Sequence, residues 1–339
     1  MRAFVITGPR SGGVREVPAP EPLAGEAVVK VAAVGICGTD YHIFDGDLAS
    51  RYPLVPGHES SGIIASLGSN GGTWREGDRV AVDPTLSCGH CYRCRRGQAN
   101  HCENREVLGD PMDGALAEYV RVPLRNLYRV EDHEELDEAA FTEPLACVLW
   151  GIQRLRIRPS DRALVFGAGP IGALMAQMLN LSGAFDVTVV DMAEGKLEVA
   201  QRLGAHAALV AGDDLATRLR ERSHGRGFDV VVDCTGVATV IESLYAHAAA
   251  GARIMFFGVA SPSVEIRVRP FEVYRRDLEI IGSMAINGTF QPARDLLANG
   301  RVVVRPLISR VCSLDDVAGI LARPKGLAEL KTLVRPADG

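Results

Sequence analysis

Long apolar runs are missing from this sequence. No stretch comes near the roughly 20 consecutive apolar residues that a membrane-spanning helix needs, although 47% of the 339 residues are hydrophobic. The opening MRAFVITGPRSGG has only a short apolar stretch before Gly8 and Pro9. That is too short for a signal peptide and reads as a first strand. Long basic runs are missing too. Lys and Arg number 37 against 42 Asp and Glu, for a net charge of −5. The densest basic patch, Arg93, Arg95 and Arg96, is too small to track a phosphate backbone, which argues against nucleic acid. There is no internal repeat and no low-complexity segment. These absences leave a cytoplasmic protein with neither membrane nor nucleic acid as partner. In a reducing compartment, clustered cysteines more often bind metal than form disulfides.

At 339 residues the chain is too long for one core of typical size, and two domains are expected. The first 150 residues are rich in Gly and Pro. EAVVKVAAVGIC (Glu26 to Cys37), SGIIASLG (Ser61 to Gly68) and DRVAVDP (Asp78 to Pro84) read as strands, with no helix of good length before about Leu136. From Arg162 the texture changes. RALVFGAG, DVTVVD, AALV, FDVVVDCTG, ARIMFFGV and LEIIGSM are apolar strands, and helical stretches such as PIGALMAQMLNLSG and AEGKLEVAQRLG lie between them. That alternation predicts a doubly wound parallel sheet behind a β-rich first part, an α/β protein. Later helices are expected near QPARDLLANG and SLDDVAGILARP.

VFGAGPIGALMAQ contains Gly167-x-Gly169-x-x-Gly172 between a strand and a helix, with Pro170 and Ile171 inside the motif. Asp191 follows Gly172 by nineteen residues, at the end of the next strand. The first glycine allows a tight turn, the second lets backbone approach a pyrophosphate, and the third lets helix and strand pack closely. The helix N-terminus offers free N–H groups to phosphates. Asp191 would accept hydrogen bonds from an adenosine ribose and repel a 2′-phosphate, favouring NAD over NADP. The plainer alternative is an ordinary tight turn with Asp191 as a helix N-cap.

Cys88-x2-Cys91-x2-Cys94-x7-Cys102 supplies four thiolates on one short loop. A tetrahedral zinc site is their natural use, and with all four places filled by protein it is a structural one. The C-x2-C-x2-C start also fits an iron–sulfur cluster, though the usual Pro after the fourth cysteine is missing. Unliganded buried thiols are the remaining alternative. His90 and His101 lie in the loop as possible substitute ligands. Cys234 and Cys312 sit in apolar surroundings and read as packed thiols.

Three further stretches bear on reactivity: GICGTDYHIFDG with Cys37, Thr39 and His42; VPGHESSG with His58 and Glu59; and FTEPLACVL with Glu143. Cys37 could donate a thiolate, His58 an imidazole and Glu143 a carboxylate. Three protein ligands and an open fourth position are the form of a catalytic zinc site.

Taken together, GICGTD, GHExxG, the four-cysteine loop, TEPLA and GAGPIG resemble the zinc-dependent medium-chain alcohol/polyol dehydrogenases of the sorbitol dehydrogenase type, in the family's order and spacing. The resemblance spans nearly the whole chain. It implies a GroES-like catalytic domain at 1–147 and 286–339 and a Rossmann dinucleotide-binding domain at 148–285. It implies two zinc ions per chain: a catalytic one on Cys37 and His58, and a structural one on Cys88, Cys91, Cys94 and Cys102. Glu59 is similar to a mobile carboxylate that enters or leaves the catalytic metal shell. Glu143 stands where polyol dehydrogenases carry a glutamate near the metal, with Cys147 as a rival. Thr39 and His42 occupy the positions of a proton relay to solvent. The implied activity is oxidation of a secondary alcohol of a polyol, sugar alcohol or cyclitol to a ketone, with NAD taking the hydride. Relatives are homodimers or homotetramers, with ARIMFFGV a candidate edge between copies.

The sequence departs from that pattern in places. Asn70, Gly71 and Gly72 stand where a small apolar residue is usual, which suggests a local loop change. Trp150 replaces a histidine of the sorbitol type, and Ala285-Ile286 replaces an Arg-Tyr pair, so sorbitol itself is not carried over as substrate. A threonine 3-dehydrogenase or amino-cyclitol dehydrogenase is a neighbouring reading; GICGTDYHI favours the first and TEPLA opposes it. A non-enzymatic zinc-loop binding module is the reading from a different class.

Overall fold

The computed structural model describes residues 1–48, 51–323 and 329–338. It contains two compact units. One comprises Met1–Ala146 with 286–323 and 331–338; the other is Cys147–Ala285 with 329–330. None of the helices among the described residues is long and apolar enough to cross a membrane.

The first unit is built on a sheet whose strands follow the order Ile308–Cys312, Lys331–Val334, Glu26–Gly35, Glu59–Leu67, Arg79–Val82, Leu127–Arg129, with Tyr119–Pro123 also paired to Glu26–Gly35. All these pairings are antiparallel except the first, which is parallel. In the strand Glu26–Gly35, Val29, Val31 and Val34 face a core that also holds Phe4, Ile64, Leu116 and Val122. Burial of such side chains contributes about 1.5–3 kcal/mol each. An antiparallel hairpin, Arg2–Gly8 with Ser11–Glu16, packs on the same core.

One element was not expected there. Gly38–Asp45 is a helix of eight residues, well before Leu136. Its sequence opens on Gly38 and is too short to show a clear apolar period. Local contacts define it instead: Cys37 is its N-cap, Asp40 Oδ2 accepts from the Cys37 N–H at 2.8 Å, and Gly46 closes it in the left-handed region at φ 86°. The SNGG departure is also local. Asn70 and Gly72 both adopt positive φ, 66° and 64°, which Asn and Gly tolerate best.

The second unit has six parallel strands in the order Ala207–Val210, Asp186–Asp191, Arg162–Phe166, Phe228–Asp233, Ala248–Phe256, Glu279–Gly282. Helices Pro170–Leu181, Glu194–Arg202, Leu215–Arg222, Ala238–His247 and Pro270–Arg275 connect them. Central strands such as RALVF and FDVVVD read as nearly continuous apolar runs because helices cover both faces. Strand order reverses beside Arg162–Phe166, the place where open α/β sheets bind ligands. ARIMF of ARIMFFGV falls in the strand Ala248–Phe256, which lies one strand in from the edge. The edge strand is Glu279–Gly282, with Ile280 41% exposed. Cys312 packs against the first unit's core and burial pushes its thiol up to about 11; Cys312 and Cys234 are each half-buried.

Candidate active site

Among the described residues, two groups of three or more His, Cys, Asp or Glu bring their ligand atoms within 4.8 Å of one another. One is Cys88, Cys91, Cys94 and Cys102; the other is Cys37, His58 and Glu59.

The four-cysteine group is local in sequence. Sγ of Cys102 lies 3.5 Å from that of Cys88 and 3.9 Å from that of Cys91. A tetrahedron with metal–sulfur bonds of about 2.3 Å has edges of about 3.8 Å, so these sulfurs already stand at zinc spacing. Backbone N–H groups of Cys88, Cys91, Cys94 and Asn104 point at the sulfurs at 3.3–3.5 Å. Backbone N–H groups of His90 and Cys91 help pull the Cys88 thiol down to about 6. His90 and His101 are exposed and outside the group, and the His90 ring lies 2.9 Å from the Cys88 carbonyl oxygen. Asn287 fixes the lobe from a distant part of the chain. It accepts from the Ala99 N–H at 3.0 Å and donates to the Gly97 carbonyl at 2.9 Å.

The second group is assembled from separate strands. Cys37 follows the strand Glu26–Gly35, and His58 and Glu59 enter the neighbouring strand. Gly57 makes this possible: its φ is 95°, and a Cβ there would press on Leu116. Asp40, fully buried, ties the two halves together by accepting from the N–H groups of Cys37 and Gly57 at 2.8 and 3.2 Å. Its Oδ1 lies 3.9 Å from His58 Nδ1. Burial pushes His58 towards neutrality, yet the Cys37 thiolate and the carboxylates of Asp40 and Glu143 outweigh it and hold the imidazole well above its ordinary value. A point that favours a proton so strongly favours a divalent cation for the same reason. The donor set and the field around it therefore fit zinc.

Glu143 lies in the first turn of the helix Thr142–Leu155 and is 8% exposed. Its charge acts on both His58 and Lys331, but it is outside the compact trio. Cys147 stands one helical turn further along and is also outside it. Thr39 Oγ1 lies 3.9 Å from Cys37 Sγ. His42 is three residues on, in the same helix, with its Nδ1 3.2 Å from Asp47 Oδ2.

Sequence reasoning missed two residues of this site. Asp40 was quoted inside GICGTD without a role; its place three residues after Cys37 was the available signal. Lys331 had none. It sits in an apolar strand, yet its Nζ contacts both Glu59 carboxylate oxygens, at 2.8 and 2.6 Å. Burial pushes the Glu59 carboxyl up, but Lys331 and His58 pull it below its usual range.

In the second unit, Gly167 has φ 98°, and a Cβ on Gly172 would overlap the Gly167 carbonyl oxygen. Space beside Gly169 is open, so backbone is accessible where a pyrophosphate would lie. Pro170 and Ile171 begin the helix Pro170–Leu181. Asp191 is not an N-cap side chain. Its two oxygens accept from the N–H groups of Ala168 and Ala193 at 2.7 and 3.0 Å, pinning the carboxylate beside the glycine turn. Each oxygen keeps a further lone pair.

The sequence pattern of the alcohol dehydrogenase GroES-like domain matches residues 23–132, and that of the zinc-binding dehydrogenases matches 170–299. A D-altritol 5-dehydrogenase of Agrobacterium fabrum is 38% identical over 309 residues, covering 89% of each chain. The chain belongs to the zinc-dependent medium-chain alcohol/polyol dehydrogenases. This dehydrogenase is also similar to two solved structures. A zinc-binding dehydrogenase structure from Sinorhizobium meliloti 1021, bound to NADP, is 33% identical with a TM-score of 0.94 and 99% coverage of both chains. An alcohol dehydrogenase of E. coli CFT073 with NADH is 30% identical with a TM-score of 0.91 and the same coverage.

Proposed function

We propose that the protein oxidises a secondary alcohol of a sugar alcohol, related polyol or cyclitol to a ketone, with NAD as hydride acceptor. The observation that carries this is the Cys37, His58 and Glu59 trio, set in a strongly anionic pocket. Cys37 and His58 are assigned as ligands of a catalytic zinc, with Glu143 as third protein ligand and Glu59 as an exchanging carboxylate. Cys88, Cys91, Cys94 and Cys102 are assigned to a second, structural zinc. When bound, zinc acidifies a hydroxyl, as it brings water from about 15.7 to near 7, and NAD accepts the hydride. Thr39 is placed to take the hydroxyl proton and pass it to His42. Asp47 steadies the imidazole that releases the proton to solvent.

Gly167, Gly169, Pro170, Ile171 and Gly172 are assigned to the pyrophosphate and Asp191 to the adenosine ribose. One similar structure holds NADP and the other NADH, so family membership does not choose between the cofactors. Asp191 does, since its fixed charge opposes a 2′-phosphate. Catalysis is assigned to 1–147 and 286–339 and cofactor binding to 148–285. The exposed edge strand Glu279–Gly282 and the exposed Phe271 and Tyr274 support a homodimer or homotetramer. Eight cysteines with no disulfide among them suit the cytoplasm.

A panel of hexitols, pentitols, inositols and threonine, assayed for NADH formation, tests this reading. Turnover on polyols with NAD preferred over NADP is expected. No turnover on any alcohol by protein holding both zinc ions would overturn it.

A further inference from the structure

One cation beside the trio has no part in the scheme above. Lys331 stands on the strand Lys331–Val334, which pairs with Glu26–Gly35 (Leu333 opposite Gly35). On its other side, Gly35 pairs with Glu59. Three adjacent strands thus deliver an ammonium, a bare Cα and a carboxylate to one place. The Lys331 ammonium donates to Glu59 Oε1, to Glu59 Oε2 and, at 3.2 Å, to the Ile36 carbonyl. Its three donors therefore meet three acceptors. The Lys331 and Glu59 side chains are 5% and 2% exposed. A Cβ on Gly35 would overlap Glu59 Oε2, so the carboxylate is backed by strand on one side and faced by Lys331 on the other.

Stability does not explain this pair. Removing two charges from water costs about as much as their attraction returns, and such pairs are often replaceable by apolar residues. The composition makes the choice pointed: only four of the 37 cations are lysines, Lys30, Lys196, Lys325 and Lys331. A compact point charge fits between strands where a planar guanidinium does not. The neighbours supply the reason. Cys37, Asp40, Glu59 and Glu143 together can carry more negative charge than one divalent ion neutralises. Glu59 also reaches within 4.8 Å of the ligand atoms of Cys37 and His58. The same oxygens could serve either the ammonium or a metal.

We propose that Lys331 is a positioning residue that holds the Glu59 carboxylate back from the metal's open position and keeps that position available to substrate. The proposal rests on the reading of Cys37 and His58 as zinc ligands. With Lys331 removed, Glu59 loses its counter-charge and turns to the metal, which is then held more tightly and works more slowly.

Cobalt-substituted protein tests this without relying on turnover alone. In Lys331→Met, the visible absorption of the catalytic cobalt is expected to weaken as coordination rises from four to five. Its release to a chelator should slow about 10-fold, and kcat should fall about 10–100-fold, the scale for loss of an outer-shell partner. Lys331→Arg, which keeps the charge, should retain most of the four-coordinate spectrum. The double variant Glu59→Gln/Lys331→Met, lacking both charges, should recover it as well. An unchanged spectrum in Lys331→Met, or faster metal release, overturns the proposal. The zinc reading fails separately: it is lost if the wild-type protein takes up cobalt only at the four-cysteine loop, or if Cys37→Ser keeps the second cobalt.

Discussion

The two ligand clusters of the first unit are built in opposite ways. Cys88, Cys91, Cys94 and Cys102 fall within fifteen residues, and their sulfurs are oriented by N–H groups of the same loop. Cys37 on one side and His58 and Glu59 on the other come from the ends of two neighbouring strands, are tied by Asp40, and face a lysine 272 residues from Glu59. The local cluster saturates itself with ligands. The long-range cluster brings together three donors, with the charges of Asp40, Glu143 and Lys331 around them. A metal held for architecture can be written into one loop, whereas a metal held for chemistry needs the sheet to bring in groups that control it.

Removing one ligand from each cluster should separate these roles most sharply. Cys37→Ser is expected to lower kcat by about 10³–10⁴-fold, since several kcal/mol of charge stabilisation is lost. One zinc per chain should remain, and the melting temperature should stay close to wild type. Metal analysis beside steady-state kinetics decides this; normal turnover would break the comparison. Cys94→Ser should do the reverse. The loss is expected in stability, on the order of 3–5 kcal/mol in denaturant unfolding, with the catalytic zinc retained.

Smaller effects sharpen the picture. His42→Ala should cost about 10² in kcat, recovered in part by added imidazole, because general acid–base transfer operates on that scale. Asp191→Ser should shift the NAD-to-NADP preference about 10-fold towards NADP, read from kcat/KM for each cofactor and worth about 1.4 kcal/mol. An effect of similar size, on stability alone, lies at Asp83, between the sheet and the strand leading to the cysteine loop. Burial raises its carboxyl from 3.8 to about 6. A raised acid favours the fold when protonated, so its contribution is complete below about pH 4 and is lost as pH rises through 6. Asp83→Asn should therefore reduce the difference in unfolding free energy between pH 4 and 7 by about 1–2 kcal/mol.

Much of this was legible in the sequence because it is local. Gly167, Gly169, Gly172 and Asp191 lie on one strand–turn–helix–strand passage, where Gly167 and Gly172 have steric reasons visible from their neighbours and Gly169 leaves open space. The four cysteines announced themselves by density. The helix Gly38–Asp45 did not, since eight residues opening on glycine give periodicity too little to work with. ARIMFFGV was expected at the sheet edge by analogy with relatives that extend this sheet from one copy to the next, but the sheet continues one strand further. Glu59 and Glu143 could not be ranked by spacing alone. The structure places Glu59 within the trio and Glu143 as a buried charge beside it. Lys331 was invisible for the plainest reason: its partner is 272 positions away and no local pattern links them.

The place of the strand Lys331–Val334 in the sheet has a further consequence, for the order of folding. It follows every other strand among the described residues, yet it pairs with Glu26–Gly35, one of the earliest. A contact of that span closes late, because the loop entropy must be met before the pairing returns anything. The cysteine loop can order as soon as its own residues are made. The pocket around Cys37 and His58 gains its lysine only when the last strand docks. The docking of that strand therefore couples the closing of the sheet to the arrival of the Glu59 counter-charge.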